Sequence, residues 1–168
     1  QKEIVEAFYM VAEKEGLHNT SLAKVAAEMG INPSLVSHYF GSKDALVFGL
    51  INYILESYKN FYTLDYGDSI HGSRLRNIID NLFSRKWDKL IDDEVFYDCF
   101  TLIFRNKEIK TAYKELHEHL RIWLTEAIEE AVRNGEVSVE NPESAADLIF
   151  ILVEGSGYYL SMYDIGEE

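Results

Sequence analysis

Few side chains in this 168-residue chain stand at spacings that catalysis or metal binding requires. Glu115 and His119 lie one helical turn apart and could share a metal, with His117 close in sequence. His117 and His119 are two apart, however, and so point to different faces of a helix, and no His-Glu-x-x-His motif occurs. No Gly-x-Ser-x-Gly, phosphate-binding loop or Gly-x-Gly-x-x-Gly is present either. Cys99 has no basic neighbour and sits in an apolar run, which predicts an inert buried thiol. Asp92-Asp93-Glu94 reads as the start of a helix rather than an acid–base pair. These absences set the expectation of no enzyme activity, no metal and no cofactor.

One set of small polar residues has a telling arrangement. Ser34, Ser37 and His38 recur at i, i+3 and i+4, on the face opposite Val36 and Phe40. Small polar groups on one side of a short helix suit contact with base edges in a DNA major groove. An ordinary helical hairpin packed inside an α-domain has the same periodicity, so the flanking elements matter. Leu22, Val25, Ala26 and Met29 form the stripe of a preceding helix, with Thr20 or Ser21 as its N-cap. Gly30 suits the left-handed residue that ends this helix. Asn32 then caps the next helix, with Pro33 at its first position. Gly41 closes that helix, and Ser42 caps another, with Asp44 in its first turn. The outline is a helix-turn-helix.

The stretch resembles the N-terminal domain of TetR-type transcriptional regulators. The shared elements are Thr20-Ser21, Leu22, Val25-Ala26, Gly30-Ile31, Asn32, Tyr39-Phe40 and Lys43, within a match of about 45 residues. Many members carry a Leu-Tyr-Tyr-His-Phe-like run, whereas this chain has Val36-Ser37-His38-Tyr39-Phe40. The Ser-His-Tyr-Phe-Gly form is similar to the choline-responsive, BetI-like branch, and that similarity covers the DNA reader only. The resemblance implies DNA contacts from Thr20, Ser21, Asn32, Ser34, Leu35, Ser37, His38, Tyr39 and Lys43. It implies an all-α fold, with a three-helix DNA-binding domain over 1–45 and a helical ligand-binding and dimerisation domain over 46–168.

Charge argues against a DNA reader. The net charge is −13, and phosphate contacts need cations. Residues 1–50 hold Lys2, Lys14, Lys24 and Lys43 against six acids, a net of −2; the remainder carries −11. Gln1 stands directly inside a helix, so a basic arm is expected to precede it. Hydroxyls, backbone N–H groups and helix N-termini also hold phosphates. The two prolines and 47% hydrophobic content fit a sizeable helical core. There is no run of 18 apolar residues and no visible signal peptide, and Cys99 is the only cysteine. These features predict a cytoplasmic protein without a membrane segment or disulfides.

Around the reader, helices are expected over about 2–14, 42–58, 73–90, 92–104, 107–134 and 142–163, with a loop over 62–72. Aromatic residues crowd the later helices. Trp87, Phe96, Tyr97, Phe100, Phe104, Trp123 and Tyr158, with Glu154 as a carboxylate, are candidate contacts for a small-molecule effector. Aromatics at helical spacing also serve as plain core. A quaternary ammonium would suit such rings, and so would a larger hydrophobic ligand. The last helix is apolar almost all round from Ala145 to Val153, as a central core helix would be. The resemblance favours a homodimer face instead, with Leu148, Leu152, Gly155 and Tyr159 on it. The chain stops just after Gly166, so a further helix is expected to follow. The resulting reading is an effector-responsive dimeric repressor of a palindromic double-stranded operator. The alternative is an α-helical enzyme or binding protein whose helix-turn-helix is only structural.

Overall fold

The structure is a computed structural model, and it describes residues 1–64, 73–84, 90–160 and 162–163, with backbone alone for 62–64. These residues form eight α-helices and two short 3-10 turns, with no strand among them. In chain order the helices are α1 (Lys2–Glu15), α2 (Leu22–Met29), α3 (Pro33–Phe40), α4 (Lys43–Leu64), α5 (Arg74–Leu82), α6 (Asp93–Phe100), α7 (Lys107–Arg133) and α8 (Pro142–Leu160). The 3-10 turns cover Leu17–Asn19 and Thr101–Phe104.

The chain divides into two compact units, Gln1–Tyr58 with Asp88–Lys114, and Lys59–Trp87 with Glu115–Glu168. In the first, α1 turns Ile4, Val5, Phe8, Val11 and Ala12 inward, the apolar positions of a 3.6-residue period. They join Val25 and Ala26 of α2, Val36 of α3, and Leu46, Leu50, Ile51 and Ile54 of α4 in one core. Gly49 on α4 marks a close approach. A Cβ there would lie 3.0 Å from the Phe40 ring and 3.1 Å from a Val5 methyl. Gly49→Val is therefore expected to cost about 1–3 kcal/mol by overpacking. A thermal melt no lower than wild type would contradict this.

In this unit Tyr9 links α1 to the start of α6. Its hydroxyl accepts from the Asp92 N–H at 3.0 Å and donates to Glu13 at 3.4 Å, and burial pushes its phenol above the ordinary value. In the second unit, Ile78 and Leu82 of α5 are buried, as are Leu120, Leu124, Ala127, Ile128 and Ala131 of α7. Arg74 holds Glu130 at 2.7 Å. Asn141 caps α8, its Oδ1 accepting from the Ser144 N–H at 2.9 Å.

Several expected boundaries move. α4 runs on to Leu64, because no glycine or proline interrupts it after Gly49; the predicted loop therefore begins later, and 65–72 lie outside the described residues. α5 ends at Leu82, well short of 90. The Ser84 hydroxyl turns back to the Asn81 carbonyl at 2.8 Å and satisfies a carbonyl that the next turn would have used. The α-helix expected to reach Phe104 stops at Phe100 and tightens into a 3-10 turn, with the Arg105 N–H on the Leu102 carbonyl. α8 ends at Leu160, and Met162 and Tyr163 stand in a turn.

Candidate functional site

The helix-turn-helix is built by local capping. The Ser21 hydroxyl accepts from the Lys24 N–H at 3.3 Å and starts α2. Gly30, at φ 65 and ψ 29, ends it. The Gly30 N–H reaches the Ala27 carbonyl and the Ile31 N–H the Ala26 carbonyl, a paired closure that needs a left-handed residue. Asn32 then accepts from the Ser34 N–H at 2.9 Å, with Pro33 in the first turn of α3. Val36, fully buried, anchors α3 to the core. Ser34, Leu35, Ser37, His38 and Tyr39 are left exposed, and the His38 and Tyr39 rings meet edge-on at 5.6 Å. Ser42 accepts from the Ala45 N–H at 3.2 Å and opens α4.

Two predicted DNA contacts look different here. Thr20 is 2% exposed, and its hydroxyl donates to the Gly16 carbonyl at 2.9 Å. It braces the 3-10 turn from inside, so the DNA contact expected of Thr20 does not fit its buried hydroxyl, and capping is left to Ser21. Lys43 donates to the His18 carbonyl at 2.8 Å. The other lysines of the first 50 residues are engaged as well. Lys14 pairs with Glu28 at 2.8 Å, Lys24 with Glu15 and the Asn19 carbonyl, and Lys2 with Glu6 at 3.7 Å. Such exposed pairs are weak, so a phosphate can displace them. Apart from the i,i+4 pair of Lys2 with Glu6, this engagement reaches beyond one helical turn and has no local signature.

The predicted effector residues fall in both units. Within the first, Phe96 meets Tyr97 edge-on at 5.3 Å and stacks on Phe100 at 6.3 Å. Tyr58 and Tyr113 extend this cluster, against Phe96 and Phe100 respectively, each at 5.6 Å. Neither was singled out from sequence, although both stand at regular apolar positions of long helices. Phe104, in contrast, is 80% exposed. Within the second unit, Trp123 is half-buried on α7 and Tyr158 is exposed on α8. Glu154 stands 4.0 Å from His117 with both side chains about half exposed. Trp87 lies outside the described residues.

α8 buries Ala146 and Val153 only. Leu148, Leu152 and Tyr159 are exposed, and so is Ile151, at 66% the most exposed of the four. A Cβ at Gly155 would meet nothing within 4 Å. Leu148, Ile151, Leu152, Gly155 and Tyr159 follow i, i+3, i+4, i+7 and i+11, which makes one continuous apolar face. The same spacing marks Ile151 in the sequence.

Cys99 is fully buried, and burial, with the neighbouring Asp98 adding to it, pushes its thiol up to about 12. Thiolate is therefore scarce at pH 8. A disulfide reagent is expected to leave the native protein unlabelled over minutes and to titrate one thiol after denaturation; rapid native labelling would contradict this. Among the described residues no group of three His, Cys, Asp or Glu is placed to hold a metal ion. No helix among them is long and apolar enough to cross a membrane.

Comparison with known proteins agrees with this geometry. Residues 4–50 match the family described as bacterial regulatory proteins, tetR family. Residues 71–168 match a Tetracyclin repressor-like C-terminal domain. The HTH-type transcriptional regulator BetI of Stenotrophomonas maltophilia is 29% identical over 86 residues, which is 49% of this chain and 43% of that protein. BetI of Paraburkholderia phymatum is 38% identical over 53 residues, 32% of this chain and 27% of that protein. The chain thus matches less than half the length of these relatives. Among solved structures, a TetR transcription regulator from Haloarcula marismortui superposes with TM-score 0.81 at 18% identity, covering 96% of this chain and 85% of that one. A transcriptional regulator from Saccharomonospora viridis in complex with choline gives 0.80 at 15%, covering 98% and 86%. FadR from Bacillus subtilis in complex with stearoyl-CoA gives 0.70 at 17%, covering 96% and 87%.

Proposed function

The chain belongs to the TetR family of bacterial regulatory proteins, and from that premise we propose that it is an effector-responsive transcriptional repressor acting as a homodimer on a palindromic operator. The observation that carries the reading is α3, whose one buried anchor, Val36, leaves Ser34, Leu35, Ser37, His38 and Tyr39 presented together on its exposed side. Residues 1–45 form the DNA-reading domain and 46–168 the regulatory one. Ser21, Asn32 and the α4 N-terminus meet phosphates with hydroxyl, amide and N–H donors. Lys24 and Lys43 exchange their protein partners for phosphate. The α8 face supports dimerisation, which sets two readers roughly 34–36 Å apart on DNA.

The effector role draws on the aromatic residues. Regulators of the same fold hold choline in one case and stearoyl-CoA in another. Within the first unit, the faces of Phe96, Tyr97 and Phe100 suit a cation over a ring or an acyl chain against it. Effector binding selects a body geometry in which the two readers no longer match the operator spacing. Such a protein works on DNA in the cytoplasm and has no catalytic step.

The test is a fluorescence titration of DNA flanking the protein's own gene, at 50 and 200 mM salt. Two exchanged lysines per protomer give about four phosphate neutralisations in a dimer, hence a log–log salt slope of about −3.6 and roughly a hundredfold loss of affinity across that range. Saturable binding with this slope supports the reading. Absence of saturable binding at either salt would overturn it in favour of a structural helix-turn-helix.

A further inference from the structure

The exposed side of α3 combines hydroxyls, an imidazole and aliphatic surface from Pro33 and Leu35. Ser34, Ser37, His38 and Tyr39 supply the polar atoms, and Leu35 stands among them 44% exposed. The sequence of α3, PSLVSHYF, contains no Arg, Lys, Asn or Gln, the side chains that make bidentate contacts with guanine and adenine. The nearest amide, Asn32, spends its Oδ1 on the Ser34 N–H at 2.9 Å. Direct readout must therefore use single hydrogen bonds and apolar contact.

Leu35 is not needed by the core. The adjacent Val36 is fully buried, and one residue along a helix is a rotation of about 100°, which carries Leu35 out of the packed face. The Leu35 N–H closes the first turn on the Asn32 carbonyl at 2.9 Å, so Leu35 sits at the N-terminal end of the recognition helix, the end that meets base edges. In the major groove the only apolar group a base presents is the 5-methyl of thymine. We propose that Leu35 is a specificity-determining residue that packs on a thymine methyl in each operator half-site. This rests on the DNA-reading role proposed above and adds what α3 reads.

The experiment uses the full chain and a duplex it selects from a random library. That duplex is remade with deoxyuridine in place of every thymidine, which removes the methyls and keeps the pairing. Wild type is expected to bind the deoxyuridine duplex about fourfold more weakly per half-site, the equivalent of the ~0.8 kcal/mol gained by burying one CH2-sized group. Leu35→Ala is expected to bind the thymidine duplex more weakly and to treat both duplexes alike, with an unchanged thermal melt. Equal binding of wild type to the two duplexes overturns the proposal, as does a full deoxyuridine penalty retained by Leu35→Ala. The deoxyuridine comparison needs no variant, so a misfolded mutant does not obscure it. Failure to select any saturably bound duplex overturns the DNA-reading role itself, whereas saturable binding without methyl sensitivity removes only the Leu35 assignment.

Discussion

Replacing Phe8 with alanine is expected to destabilise the protein by about 3–5 kcal/mol, the usual cost of emptying a fully buried aromatic site. Phe8 has no exposed surface and sits on the inward stripe of α1 with Ile4, Val5, Val11 and Ala12. The lost term is apolar transfer plus the cavity left among side chains already in contact. Collapse of the cavity is limited, because α1 is held on either side of Phe8. Val5 closes on the Gly49 position, and Tyr9 is fixed by its hydrogen bond to the Asp92 N–H. Against a typical stability of about 5–15 kcal/mol, the loss lowers the melting temperature by on the order of 10 °C. DNA binding falls with it, because α1 supports α2 and α3. A melt within 2–3 °C of wild type, roughly 1 kcal/mol for a chain of this size, would contradict the placement of Phe8 at the centre of this core.

Leu152→Glu is expected to break the proposed dimer while leaving the protomer folded. Leu152 is 60% exposed and lies mid-way along the apolar face of α8, so a carboxylate there is hydrated in the monomer and costs within about 0.5 kcal/mol. In a two-fold interface the same change buries one unpaired carboxylate from each protomer. Charges are buried only when paired, and an expected penalty of about 3 kcal/mol raises the dimer dissociation constant more than a hundredfold. Sedimentation should show the mass halved with unchanged helix content. Operator affinity should fall as well, because the second reader is no longer tethered to the first. An unchanged mass would place the interface elsewhere.

The two predictions differ in how much of their basis is local. The stripe that buries Phe8 is legible from apolar periodicity, and the caps Asn32, Ser42 and Asn141 and the left-handed Gly30 are legible for a related reason. Each depends on residues within one helical turn. The contacts that were not legible join distant positions. They include Lys43 on the His18 carbonyl, Lys24 on Glu15, and Tyr9 on the Asp92 N–H. Thr20 shows the limit most clearly. Its type and position suit a cap or a phosphate contact, yet its hydroxyl turns inward to Gly16, and only the packing of α1 against α2 decides between those directions. The early end of α5 has a local origin instead, since Ser84 competes for the Asn81 carbonyl three residues back. On α8, Leu148, Leu152 and Tyr159, named from the resemblance, are exposed, and burial adds Ile151 to the same side.

The central claim is that the outer face of α3 reads base edges while the lysines only hold the backbone. The direct measurement is in vitro selection of preferred duplexes by wild type, Ser37→Ala, His38→Ala and Lys43→Ala, with affinities for each selected sequence. Ser37→Ala and His38→Ala are expected to change the preferred base at one position of each half-site. Lys43→Ala is expected to select the wild-type sequence, weaken all duplexes about equally and make the log–log salt slope less steep by about 1 per lysine removed. Unchanged preference in both α3 variants would contradict the claim.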